Sequence, residues 1–357
     1  MTKSEKLCES LGNLFFFKEM VKSNLIYITD TKEEKELADI ILRVDNFIIP
    51  MQIKEKDNEE YDLTKWLNNK VYKKAKQQIK ISCKELKEKI NFKDSTNNDI
   101  LEDIDSCTII PIIIFDINKR INDYQKIYVS KENNLAIHIF SIIDFGLMCH
   151  KLIAPMEMIR YLQERIEYIN YPILTCDNII AKNTSEDSML EFYIHKYNLK
   201  IEENINKLLK FNIYLSNFEA HCINDNTNYK IFIKKMSAFM VQKIYCFIDR
   251  IDHIIIKGSQ QKLSWNNYIL DDKQCILFIS LPKEKFDKDF INFVSNVFMY
   301  FFKINNVLAI IESNIDDDKY ELDFASIDYD YGNDEVIEEA INEGIADNWK
   351  SPIAKNV

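Results

Sequence analysis

The sequence predicts an α/β protein: helices and short strands alternate through the N-terminal half, and an α+β domain follows. Three observations carry this. Two apolar runs, Leu37 to Val44 and Phe47 to Lys54, are parted only by Asp45-Asn46, which tolerate positive φ, so they predict a two-residue β-hairpin. Between Lys65 and Lys93, apolar Trp66, Val71, Ala75, Ile79 and Cys83 recur near helical period. Thr108 to Phe115 is apolar almost throughout and reads as a strand buried on both faces.

The remaining elements follow in order. Residues 4 to 22 read as a helix, with Leu7, Leu11, Leu14 and Phe15 near helical spacing. Polar loops are expected up to Asp62 and over residues 94 to 106. Lys126 to Val129 and Ala136 to Phe140 read as strands, and Pro155 to Tyr168 as a helix with proline near its first turn. Polar residues from Tyr171 to Ser188 break the pattern, so the expected domains are 1–170, 186–330 and an acidic end, 331–357, read as a solvated helix or tail. The second domain opens with helices around 188–210 and 229–250. A strand at Cys275 to Leu281, a helix from Lys283 to Phe302, and strands at Val307 to Glu312 and Tyr320 to Ile327 complete it.

Composition narrows the function classes. A chain of 357 residues, 46% apolar and 29% charged, is globular and long enough for two cores. No apolar run is long enough to span a bilayer and no apolar signal core follows the first residues, so a cytoplasmic protein with no membrane partner is expected. Eight cysteines without C-x-x-C spacing read as reduced thiols. Cys149-His150 and His221-Cys222 are poor metal sites, because neighbouring side chains diverge. None of the five glycines lies in a phosphate-binding loop, which argues against ATP hydrolysis by this chain alone. From Glu312 to the end, fourteen acids face three lysines and account for the whole net charge of −11. Lys65 to Lys93 holds ten lysines against two acids, so a local basic surface survives the overall acidity.

The hairpin fixes a geometry. With Asp45-Asn46 as the turn, Val44 faces Phe47 and, further along, Asp39 faces Gln52 at a non-hydrogen-bonded position where side chains approach closely. Lys54, two residues on, shares that face, and Pro50 costs this ladder no hydrogen bond. Three polar side chains therefore converge on an otherwise apolar hairpin. Asp39 and the Gln52 amide oxygen are hard oxygen donors suited to magnesium, or manganese in its place. Lys54 can orient water or stabilise charge on a phosphate. A second acid is available from Glu9 or Glu19 of the first helix. Lys73, Lys76 and Lys80, at i, i+3 and i+7, can share a helix face and touch phosphate; alone, such a segment is more simply a solvated face. Gln77 and Gln78 fall near the same site, and His138 in an apolar strand reads as a satisfied core residue.

These residues resemble a family. Lys35-Glu36-Leu37-Ala38-Asp39 followed by Pro50-Met51-Gln52-Ile53-Lys54 is similar to the D…(E/Q)xK core of the PD-(D/E)xK, restriction-endonuclease-like nucleases, in the Gln-x-Lys form of Mrr-like members. Ala38 replaces the name-giving proline and Gln52 replaces an acid. The resemblance spans about residues 1 to 170 and implies a mixed sheet flanked by helices, with Glu19 as the helix acid. It implies a magnesium-dependent endonuclease acting on DNA, with RNA left open, in restriction or antiphage defence. A homo-oligomer or a partner defence protein fits that setting. The rival expectations are a catalytically silent DNA- or partner-binding fold, and a regulatory subunit of a larger defence complex.

Overall fold

The computed structural model describes residues 1–28, 31–56, 62–88, 104–130, 135–171, 173–176, 179–182, 185–221, 226–270, 275–282, 287–316, 319–330, 332, 334–347 and 349. Lys89, Lys93, most of the 94–106 loop, Cys222, the start of the helix expected from Lys283 and residues 350–357 lie outside them. The chain forms two compact units, one of residues 1–201 with 233–241, the other of 202–232 with 242–357. Each is mixed α/β.

In the first unit, α1 (Lys3–Phe15) starts on a capping box, in which the Thr2 hydroxyl accepts the Glu5 N–H and the Glu5 carboxylate accepts the Thr2 N–H. The expected helix to residue 22 is cut short. Phe17 takes a φ of 64°, a short 3₁₀ turn (Lys18–Met20) follows, and β1 (Val21–Ile28) begins. The hairpin forms: β2 (Glu34–Val44) and β3 (Phe47–Glu55) pair with Val44 opposite Phe47, and of the two turn residues Asp45 alone takes a positive φ, 48°. α2 (residues 63–87) is one continuous helix whose middle, Leu67–Ala75, is wound as a π-helix. The apolar run after it makes two strands, β4 (Thr108–Ile109) and β5 (Ile112–Asp116), interrupted at Pro111, which has no N–H to give. β6 (Ile127–Val129) and β7 (Ala136–Ser141) complete a mixed sheet of order β1-β2-β3-β5-β7-β6, with β4 also on β3. β3, β5 and β7 run parallel; the outer pairs are antiparallel.

Helices cover both faces. Leu67, Val71, Ala75 and Ile79 of α2 bury against Ile113, Phe115, Ile137 and Ile139. α1 lies on the opposite face, where Gly12 meets Leu42 and Val21. α3 (Ile142–Leu152), not expected from the sequence, is capped by Ser141, and α4 (Pro155–Asn170) follows with proline in its first turn. A small hairpin, β8 (Ile173–Cys176) and β9 (Ile179–Lys182), leads to α5 (Glu186–Tyr197). α5 belongs to this unit although the sequence groups it with the C-terminal half. The reason is Arg165, fully buried on α4. It donates to both Glu186 oxygens (2.7 and 2.8 Å) and to the Lys126 and Ile139 carbonyls, so the ion pair ties α5 to the unit's interior.

The second unit holds α6 (Ile205–His221), α8 (Val241–Ser259) and a four-stranded sheet. α7 (Asn226–Ser237) begins in this unit and ends in the first. Its strands are β10 (Ser264–Leu270), β11 (Cys275–Pro282), β12 (Asn306–Asp316) and β13 (Lys319–Asp328). α9 (Lys288–Phe302) links the parallel pair β11 and β12. Leu277, Ile279, Val307, Ala309 and Ile311 join Val294 and Phe298 of α9 in one core. On the other face Phe278 meets Phe247 of α8. The acidic end is not a tail: α10 (Asp334–Asn342) buries Ile337 in that core, and Ala346 and Trp349 follow it in. The Trp349 indole donates to the Trp265 carbonyl at 2.9 Å and the Trp265 indole to the Ile345 carbonyl at 3.2 Å. Among the described residues no helix is long and apolar enough to cross a membrane.

Candidate active site

β2 and β3 pair from the turn as far as Ile40 and Met51 and then part. β2 continues to Glu34 beside β1 alone, while β3 continues to Glu55 beside β5. Asp39 sits where they diverge. Its Oδ2 accepts the Ile53 N–H at 2.5 Å, a bond the departing β2 backbone no longer offers. Gln52 and Lys54 flank Ile53 and point to one face. Lys54 Nζ donates to Gln52 Oε1 at 3.3 Å and to the Ile53 carbonyl at 2.9 Å, and lies 3.7 Å from Asp39 Oδ2. The three side chains predicted from the hairpin register thus meet around one ammonium group.

The site is buried and short of positive charge. Asp39 is 9% exposed and Gln52 3%. Burial pushes the Asp39 carboxyl above its ordinary range; Lys54 and the Ile53 N–H oppose this, and Glu5 adds to it. Glu36 is raised in the same way, by burial first and then by Asp39 and Glu5. Asp39 and Glu36 therefore share the field of Lys54, which lowers both.

Of the acids on and beside α1, Glu5 raises the Asp39 and Glu36 carboxyls through space, while its own carboxylate accepts the Thr2 N–H. Glu19 is not on α1 at all: it lies on the 3₁₀ turn beyond it, with Lys18 Nζ at 4.0 Å. Glu9 accepts the Ser23 hydroxyl at 2.5 Å. Glu5 and Glu36 were both within reach of a sequence reading. Glu5 closes the Thr-x-x-Glu capping box, and Glu36 lies beside the D…QxK motif.

On α2, Gln78 carries a buried amide oxygen with no hydrogen-bond partner among the described residues, whereas Gln77 is exposed. One turn on, the Ser82 hydroxyl contacts the Leu37 carbonyl of β2, so this stretch of α2 lies over the strands that carry the site. Lys73 is exposed, while the Lys76 and Lys80 ammonium groups lie 3.9 and 5.3 Å from the Tyr128 ring centroid on β6. Lys76 and Lys80 therefore stand against β6.

His138 is buried on β7 with its pKa well below the ordinary value, through burial and then Arg165, whose Nη1 lies 3.5 Å from its Nδ1. That is a core residue. Cys149 is buried and His150 exposed, so this adjacent pair does point apart.

No family model, curated protein or solved structure matches the chain.

Among the described residues no three His, Cys, Asp or Glu side chains are arranged to hold a metal ion. The donor set at the hairpin is instead one carboxylate and one amide oxygen, with Glu5 and Glu36 acting on it through space. Hard oxygen atoms and a surplus of negative charge fit a loosely held divalent cation completed by water.

Proposed function

We propose that the first unit is a magnesium-dependent endonuclease of the PD-(D/E)xK kind, acting on DNA. Its sheet would then be the restriction-endonuclease-like core. The observation that carries the reading is the convergence of Asp39, Gln52 and Lys54 in the gap where β2 and β3 part.

Asp39 and Gln52 would hold the cation, with Glu5 adding negative charge through space. A bound magnesium polarises the scissile phosphate and lowers the pKa of water. Lys54 has the protein's own chemical role. Its ammonium is already oriented by Gln52 and the Ile53 carbonyl, so it meets a phosphate oxygen or the attacking water with little reorganisation. An amide in place of one carboxylate lowers the site's negative charge and with it the affinity for magnesium. Lys73, Lys76 and Lys80 would serve as a phosphate-backbone contact. Restriction or antiphage defence is the setting in which nucleases of this kind act, and we place the protein there.

One observation favours a second reading, a silent nuclease-like fold that binds DNA or a partner. Lys54 already supplies a positive charge between Asp39 and Gln52. Plasmid nicking in magnesium by wild type and by Lys54→Ala separates the two. A nuclease nicks and the variant does not; the silent fold nicks in neither case and still binds DNA.

A further inference from the structure

The second unit holds a partly open cavity of about 330 Å³ that the nuclease reading does not use. Three segments meet there: the C-terminal end of α8, the start of β10 and the chain after α10. Lys257, Lys262, Trp265, Gly344 and Ile345 are among the residues that line it, and all belong to this one unit.

Both lysines reach the cavity because of how α8 ends. Gln261 takes a φ of 54°, its N–H donates to the Gly258 carbonyl at 2.7 Å, and the Lys262 N–H donates to the Lys257 carbonyl at 2.9 Å. This left-handed stop folds the chain back on the last helical turn, so two residues five apart border one space. It also occupies two of the carbonyls that a helix C-terminus leaves unbonded. Among the described residues no acid lines the cavity and neither lysine has an ion-pair partner. The positive field extends back along α8 to His253, whose pKa is lowered by burial first and then by Lys257 and Arg250.

The rest of the lining is apolar and fixed in place. Beyond its part in the core, Trp265 borders the cavity with its indole N–H already given to the Ile345 carbonyl at 3.2 Å. Its own carbonyl accepts the Trp349 indole N–H at 2.9 Å. What Trp265 has left to offer a ligand is ring surface. Gly344 takes a φ of 95°, which strains any side chain, so the lining there is bare backbone. The exposed Asp347 packs its carboxylate against Gly344.

We propose that this cavity binds a nucleoside monophosphate, with its ring on Trp265 and its phosphate shared by Lys257 and Lys262. A phosphate monoester carries a charge of roughly −1.5 to −2 near neutral pH, which two ammonium groups match and a lone carboxylate does not. Lysine binds phosphate as a point charge, and an aromatic side chain stacks on any base. A cavity of this size is at the small end of ligand sites, about 300–1,000 Å³, and holds one nucleotide rather than a strand. The site is independent of the nuclease reading.

Isothermal titration of the full-length protein at low salt with AMP, adenosine and inorganic phosphate tests this. AMP should bind, and adenosine and phosphate should each bind at least about tenfold more weakly, because each lacks one half of what the cavity recognises. Lys257→Ala and Lys262→Ala should each weaken AMP binding roughly tenfold, the effect of one charge-assisted hydrogen bond, with melting curves unchanged. Trp265→Phe should weaken binding of AMP and leave that of phosphate alone. Asp347→Asn and Lys54→Ala should bind AMP at least as tightly as wild type. A wild type that does not bind AMP, or a double lysine variant that binds it equally well, would overturn the site. Phosphate binding as tight as that of AMP would overturn the place given to the ring. Loss of AMP binding in Lys54→Ala would put the nucleotide in the first unit and overturn the proposal.

Discussion

At the scale of single residues, Asp39 carries the most weight because it has two duties. It caps the Ile53 N–H and it places a carboxylate in a buried site. Asp39→Asn keeps an acceptor for that N–H, so it should melt within about 1 kcal/mol of wild type while losing cleavage. Thermal melts and plasmid nicking on the same preparation check this, and an active Asp39→Asn would remove Asp39 from the site. Gln52→Glu should keep activity and lower the magnesium concentration for half-maximal rate, because it adds the missing carboxylate; a folded but inactive variant would show that the amide itself is needed. Glu312, fully buried on β12, accepts the Ser280 hydroxyl at 2.8 Å, and burial raises it to about 7 from an ordinary 4.5. Its folded pKa lies above its unfolded one, so its contribution is present at pH 4 and lost as pH rises through 7. Stability of the second unit should fall by roughly 3 kcal/mol over that range from this group, and Glu312→Gln should flatten the profile. A pH profile that Glu312→Gln leaves unchanged would contradict this. The trio Asp39, Gln52 and Lys54 was legible because a two-residue turn fixes register and register fixes which side chains meet. The docking of α1 was not, because it depends on Ser4 meeting Glu55 and Asp116, which are distant in sequence.

At the scale of elements, local chemistry predicted well where it was self-contained. The β2–β3 hairpin and α2 needed only turn residues and a helical period, and both appear where expected. The first helix was read too long because its apolar spacing continues into Phe15-Phe16-Phe17, while the backbone turns at Phe17 and β1 joins the sheet edge. β1 pairs with β2 across this break, and nothing local announces such a partner. On the basic surface of α2, Lys76 and Lys80 stand over Tyr128 on β6, a strand three places from β3 in the sheet order. Neutralising Lys73, Lys76 and Lys80 should weaken DNA binding and flatten its salt dependence by up to about three units of slope. Stability should change little, since the buried stripe of this helix is Val71, Ala75 and Ile79. Fluorescence anisotropy across a salt series measures the slope, and an unchanged value would move DNA contact off α2.

At the scale of the whole chain, the sequence reading was weakest wherever long-range packing decides. Charge density marked the end of the chain as solvated, yet Ile337, Ala346 and Trp349 are interior residues of the second unit and the acids occupy the outer side of α10. Trp349→Ala should therefore destabilise that unit by about 3 kcal/mol or more, as removal of a buried aromatic does, whereas a solvated tail would show no change in a denaturant melt. The boundary near residue 171 reflected a polar stretch, but the Arg165–Glu186 pair reaches across it, and an ion pair between two helices leaves no periodic signal. The two units also differ in how their chemistry can be read: the first has a convergent polar site, the second a carboxyl group and two tryptophans serving its own core.

The nuclease reading rests on the site in the gap between β2 and β3 being catalytic. The most direct test is a magnesium titration of supercoiled-plasmid nicking by wild type, Asp39→Asn and Lys54→Ala, each verified as folded by its melt. Wild type should nick with a rate that saturates in magnesium, and both variants should lose at least about a hundredfold, the loss expected when a metal ligand or a charge-stabilising group is removed. Nicking by the variants at the wild-type rate, or none by wild type at any magnesium concentration, would contradict it.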